Sequence, residues 1–221
     1  MTDCPICILA DLPAASTTFI VLLVLSAVFI CSWLMFWILS VRSTSLRRSV
    51  LTLDWARDHG FKVRDWGEEL PEPFRDLKSR GMRVEMALQK PDRMLLRLEE
   101  HPPDAAAPIR WHILVLNLPV AWPPTGLRPT HPPRSALDLF SLTSFPLLGP
   151  TDRFVVFGTE STSARALSRS PARGLLPPDI GLLLAGGHLI LDFSARPFDE
   201  IEFNRMIVIA EQLLKHLPQP T

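Results

Sequence analysis

The 221-residue chain has no tyrosine, only three cysteines, and four lysines against 19 arginines. Its 23 basic and 23 acidic side chains cancel to a formal net charge of +0. Each shortage excludes something. Balanced charge supplies no global field to gather a polyanion, so no nucleic-acid partner is expected. Three cysteines cannot build a disulfide framework. Neither G-x-x-x-x-G-K-[ST] nor G-x-G-x-x-G occurs, so nothing marks a nucleotide cradle. The six histidines, His59, His101, His112, His131, His188 and His216, never fall into the H-E-x-x-H spacing. Gly158 to Ser163 reads GTESTS, not G-x-S-x-G, and is better suited to capping a helix than to presenting a nucleophile. No catalytic residue, metal ligand or cofactor is therefore expected. Proline is in excess at 22 residues, about twice its usual ~5%. The preference for arginine over lysine fits a GC-rich bacterial genome.

What the chain does have is one long apolar run. Residues 19–39 carry no charge, proline or glycine. At ~1.5 Å per residue they match the ~30 Å hydrocarbon core of a bilayer. Only Ser26, Cys31 and Ser32 interrupt the run, and a helix can satisfy such hydroxyls with its own carbonyls. Trp33 and Trp37 near its end suit an interfacial aromatic belt. A cleaved signal peptide is the rival reading, but it needs a basic start, a shorter run and a small-residue cleavage site. We therefore expect a transmembrane helix over 18–41. Arg42, Arg47 and Arg48 follow it, whereas Asp3 and Asp11 precede it, so the positive-inside rule sets the N-terminus outside. The expected layout is a short extracytoplasmic tail over 1–17, one span of the inner membrane, and a cytoplasmic domain over 43–218.

The domain reads as α+β. Residues 43–59 have helical spacing and end at Gly60, a natural residue to follow a helix. Residues 61–66 alternate as a short strand, and 71–80 suggest a turn and a short helix. Residues 82–89 and 93–98 alternate apolar and polar, which predicts two half-buried strands joined at Lys90-Pro91-Asp92. A two-residue loop there would set Met86 opposite Arg97. A three-residue loop sets Met86 opposite Leu96 and Val84 opposite Leu98, and pairs Glu85 with Arg97 and Arg83 with Glu99 on a solvated face. Residues 109–118 predict a central strand containing a core Trp111. Residues 119–150 predict an irregular proline-rich excursion. Its Trp122 and Phe140 either meet a partner or fold back over the sheet.

Residues 153–158 predict another strand, and 161–176 a helix interrupted near Pro171. Residues 180–185 and 188–193 flank Gly186-Gly187, which predicts a second hairpin with a type I′ turn. The last helix, starting after Pro197 with Asp199 and Glu202 as a capping pair, aligns Phe203, Met206, Ile207, Ala210, Leu213, Leu214 and Leu217 to cross the sheet. The expected fold is therefore an antiparallel or mixed sheet with two hairpins, packed by a C-terminal amphipathic helix.

The run Arg153-Phe154-Val155-Val156-Phe157, then a helix, then Ile180-Gly181-Leu182-Leu183-Leu184 and Gly186-Gly187-His188-Leu189-Ile190-Leu191 before a closing helix, resembles the C-terminal part of uncharacterised bacterial membrane-anchored proteins. That resemblance implies one or two N-terminal spans and a small cytoplasmic α+β domain. It implies no activity. The expected function is a non-catalytic interaction or scaffold role, with the lipid bilayer and other membrane proteins as partners. The alternative rests on Cys4-Pro5-Ile6-Cys7, a C-x-x-C pair able to act as a dithiol or as half a zinc site.

Overall fold

The computed structural model describes residues 14–64, 74–75, 81–103, 107–131, 134–140, 147–148 and 153–218; side chains are not described at 14–18, 20, 37–50, 140 and 147–148. The chain divides into two compact units, Met1–Val50 and Leu51–Thr221. Helix α1, Ala14–Asp58, covers the apolar run and the expected juxtamembrane helix. As anticipated, the Ser26 hydroxyl donates to the Leu23 carbonyl, at 2.8 Å.

Among the described residues, the second unit is α+β with an antiparallel sheet of seven strands. These are β1 (Lys62–Val63), β2 (Met82–Gln89), β3 (Arg93–Glu100), β4 (Ile109–Pro129), β5 (Leu147–Leu148), β6 (Phe154–Gly158) and β7 (Gly181–Asp192). Helices α2 (Ser161–Arg169), α3 (Ala172–Leu175) and α4 (Glu200–His216) complete it, with a 3-10 turn at Ala136–Phe140. Gly60 sits at φ 71° after α1, where a left-handed residue ends a helix. Of the expected strand over 61–66, Lys62–Val63 pairs, and 65–66 lie outside the described residues, as do 71–73 and 76–80.

Both faces of the sheet are covered. On one, the apolar stripe of α4 (Phe203, Met206, Ala210 and Leu213) packs with Trp55, Phe61, Leu95, Leu114, Leu182 and Leu191. Asp199 caps that helix, its carboxylate accepting from the Glu202 amide at 3.1 Å. On the other, Leu137 and Leu139 of the 3-10 turn and Phe74 lie with Leu96, Trp111, Ile113, Leu183 and Ile190. The shelter expected for Leu183 and Ile190 comes from this second layer.

Four expectations are corrected. The first hairpin has a two-residue loop: Lys90 donates to the Arg93 carbonyl at 2.8 Å, and Met86 lies opposite Arg97. A bulge at Glu85 then adds one residue to β2, so Val84 meets Leu98 and Arg83 meets Glu99 as anticipated. Met86 therefore packs under α4 while Leu96 faces the other layer. The Glu85–Arg97 ion pair does form, at 2.6 Å. However, its face is the one α4 covers in part, and Arg97 lies over the Phe198 ring at 5.3 Å.

Second, 180–193 is no hairpin. β7 runs through Gly186-Gly187 as one strand and pairs with β4 on both sides of it. Leu182 and Leu184 share a face with Leu189 and Leu191. That change of parity is what suggested a turn, and a bulge produces it equally well. Only Gly186 has positive φ, 55°, whereas a type I′ turn needs it at both central residues. Third, the first part of the proline-rich excursion is strand. β4 continues to Pro129, with its register broken between Asn117 and Trp122 and again between Trp122 and Thr125. The prolines at 119, 123 and 124 fall in those breaks, where no ladder amide is required. The expected cap at 161–163 is also corrected: Glu160 is the N-cap residue of α2 and makes no side-chain capping bond.

Candidate interaction surface

The break in β4 borders a cavity. Leu118, Pro119, Val120 and Trp122 face Leu214, Leu217 and Pro218 from the end of α4 across a space of about 370 Å³. None of the seven lining side chains titrates. The two walls arise from one cause each. The prolines interrupt the pairing of β4 with β7, and α4 ends at His216, after which Leu217 takes an extended backbone while donating to the Leu213 carbonyl. Trp122 itself is buried at 5% exposure, opposite Gly186, where no side chain competes for the space. Val120, in contrast, is 52% exposed. Trp122 is thus first a core residue whose burial joins β4 to α4, and its neighbour Val120 is what the surface presents. The 3-10 turn contains Phe140, whose side chain lies outside the described residues.

A second feature was not legible beforehand. Asp192, at the end of β7, is buried and accepts four hydrogen bonds. The Ser135 hydroxyl and the Ala136 amide donate to one oxygen; the Ser194 amide and hydroxyl donate to the other. Burial pushes its carboxyl above the usual carboxylate range, against the opposing pull of these donors. The only sequence signal was an acid ending an otherwise apolar strand, LLLAGGHLILD.

His112 is near, but its ring is used elsewhere. Nδ1 lies 2.7 Å from the Arg196 carbonyl, so that nitrogen carries the proton, and the His112 backbone amide donates to the Ser194 hydroxyl at 2.9 Å. Burial lowers the tendency of this imidazole to charge. A serine, an aspartate and a histidine therefore meet without the hydroxyl-to-ring and ring-to-carboxylate bonds a relay requires. The cluster is a clamp that fastens the 3-10 turn to the end of β7. Arg128 reinforces it by a two-pronged bond to Asp138, 2.7 and 3.1 Å.

Cys4 and Cys7 lie outside the described residues, as do the side chains of Arg42, Arg47 and Arg48. Cys31 is a free, exposed thiol on α1. Among the described residues, no three His, Cys, Asp or Glu side chains gather to hold a metal ion.

Sheet, helices and cavity define an α+β domain with an antiparallel sheet covered on both faces. No protein-family model and no curated protein matches the chain. Among solved structures it is similar to the crystal structure of the mycobacterial trehalose monomycolate transport factor A, with a TM-score of 0.47 and 14% identity over 77% of this chain and 96% of that one. A likeness this remote says nothing of what the present chain binds.

Proposed function

We propose that this is a single-span protein of the bacterial inner membrane, N-terminus outside, whose α+β domain is a non-catalytic interaction module at the cytoplasmic surface. The observation that carries the reading is the exposure of α1. Every described side chain over 21–36 is exposed, and the large apolar ones, with Phe19, are 44–73% exposed. Sixteen consecutive residues pass round a helix more than four times, so no polar face is left for water. Among the described residues no helix is long and apolar enough to cross a membrane. The sequence itself continues uncharged to Leu39, and Arg42, Arg47 and Arg48 then supply the basic flank. A module tethered in this way meets other components of the same membrane at high effective concentration, so a weak contact suffices. The cleft beside Val120 and Trp122 is the surface it offers them.

The test is fractionation and topology. Membranes washed with alkaline carbonate should retain the chain. Protease added to spheroplasts should remove an N-terminal tag and spare a C-terminal one. Release by carbonate, or the reverse pattern of tag loss, would overturn the reading. Val120→Glu should reduce co-purification of membrane partners without lowering the melting temperature. Unchanged capture would remove the cleft from it.

A further inference from the structure

Around the end of β7, polar groups form a path from the layer on one face of the sheet to the layer on the other. It starts in the 3-10 turn. The Leu137 amide donates to the Ser135 hydroxyl oxygen at 3.3 Å, and that hydroxyl donates to Asp192. A matching arm starts in β4. The His112 amide donates to the Ser194 hydroxyl oxygen at 2.9 Å, and that hydroxyl donates to the other oxygen of Asp192. One buried carboxylate is therefore the common acceptor of two arms. Each serine accepts on one side and donates on the other, so its hydroxyl has a single orientation that serves both bonds.

His112 carries the path to the face of α4. Its amide, its carbonyl and its ring all bond to residues 193–196. The carbonyl accepts from the Phe193 amide at 2.9 Å, and Nδ1 donates to the Arg196 carbonyl at 2.7 Å. Arg196 then reaches Glu202, in the first turn of α4, at 3.0 Å. It also holds Asp179, just before β7, at 2.7 and 2.8 Å. The Glu202 amide in turn donates to the Asp199 cap. The start of α4 and the 3-10 turn thus hang on the same few groups, from opposite faces.

The turn has little else to hold its shape. A five-residue 3-10 helix is short and its own hydrogen bonds are poorly aligned, so its position depends on what it is fastened to. Its seat is narrow. A Cβ added at Gly181 would come within 2.9 Å of the Leu137 side chain and 3.0 Å of the Ser135 hydroxyl. Asp192 is shielded from water, and in such surroundings bonds in series polarise and strengthen one another. Weakening one arm therefore weakens the other.

We infer that this path couples the two layers, so that unseating of the 3-10 turn and loosening of the start of α4 form one linked equilibrium. By reciprocity, anything that grips either layer steadies the other to the same degree.

The experiment is hydrogen exchange followed by mass spectrometry on the full chain in neutral maltoside micelles. Glu202→Gln perturbs the α4 end and touches nothing in the turn. It should speed exchange of the Ala136 and Leu137 amides about two- to thirtyfold, the range of coupling measured through such networks, while β2 and β3 change less. In the opposite direction, Ser135→Ala should speed exchange of the Phe203 amide, which donates to the Asp199 carbonyl at 2.9 Å. Arg93→Ala removes a bridge to Glu211 farther along α4, off the path, and should leave the turn unchanged. Should Glu202→Gln fail to fold, Asp179→Asn decides, because it frees the same guanidinium from outside α4. The inference is overturned if the turn and the β2–β3 hairpin speed up equally, if either far end is silent, or if Arg93→Ala frees the turn as much. The result is independent of whether the domain binds membrane proteins.

Discussion

Replacing Asp192 by asparagine tests the buried clamp with a change of one atom. Each carboxylate oxygen accepts from one backbone amide, Ala136 or Ser194, and from one serine hydroxyl. The asparagine side chain must place an NH₂ where one of those oxygens stood. A serine hydroxyl can rotate to accept from it, but a backbone N–H cannot. Whichever way the side-chain amide turns, one buried N–H loses its partner, which costs about 1–3 kcal/mol. For a chain of this size that lowers the melting temperature by about 2–12 °C.

The pH dependence gives the sharper signature. The folded Asp192 carboxyl titrates above its unfolded value of 3.8. The folded state therefore holds the proton more tightly, so the linked stability is fully present below about pH 4 and is lost as pH rises through the raised folded value. Protonated Asp192 keeps both amide bonds, because a hydroxyl oxygen still accepts. The asparagine variant has no group there to titrate. The deficit of Asp192→Asn should accordingly be largest near pH 4 and shrink towards pH 8. Urea melts of the full chain in neutral detergent, at pH steps between these limits, measure it. A deficit that grows with pH, or no deficit at any pH, would refute the account of the clamp.

The two glycines of β7 should behave differently. Gly186→Ala places a side chain at φ 55° and should cost about 1 kcal/mol, whereas Gly187→Ala meets nothing within 4 Å and should melt like the parent. Equal losses at both positions would restore the tight turn. Arg196 joins Asp179 (2.7 and 2.8 Å) to Glu202 (3.0 Å), and these acids hold its guanidinium more firmly protonated than usual. Arg196→Ala should lower stability by about 2–3 kcal/mol in a denaturant melt, and Arg196→Lys should recover less than half of that, since one ammonium cannot grip both acids. Full rescue by lysine would reduce the site to simple charge.

The sequence was legible where side-chain period and burial agree. α4 follows its stripe from Phe203 to Leu213, and the Asp199 cap sits where a capping pair was read. The α+β class and the antiparallel sheet follow from the alternation of β2, β3 and β7. Bulges were not legible, because period two shows the face of a side chain and not the direction of its strand. At Gly186-Gly187 a reversal and a one-residue insertion leave the same apolar positions on the same side. At Glu85 the register argument assumed an unbroken ladder, so it rejected the loop that β2 actually uses. The prolines after Leu118 looked like the end of a strand because their missing amides matter only where a ladder bond is due. The Asp192 clamp depends on Ser135, 57 residues earlier, a pairing that leaves no local pattern.

β4 is where every path through the sheet crosses. Along Ile113 to Leu116 it has β3 on one edge and β7 on the other; along Thr125 to Leu127 it has β6 and β7. The order of assembly follows from this. β2, β3 and β4 are neighbours in sequence and can zip together early, for little loop-closure entropy. The partners that β4 finds in β7 are 55 to 79 residues away along the chain. Until they arrive, the strongly apolar stretch from Ile113 to Leu127 presents an open edge to any other chain nearby. Synthesis lengthens that interval, because β7 begins to leave the ribosome some fifty residues after β4 is complete. A slow or interrupted translation between them should therefore produce aggregates nucleated on β4.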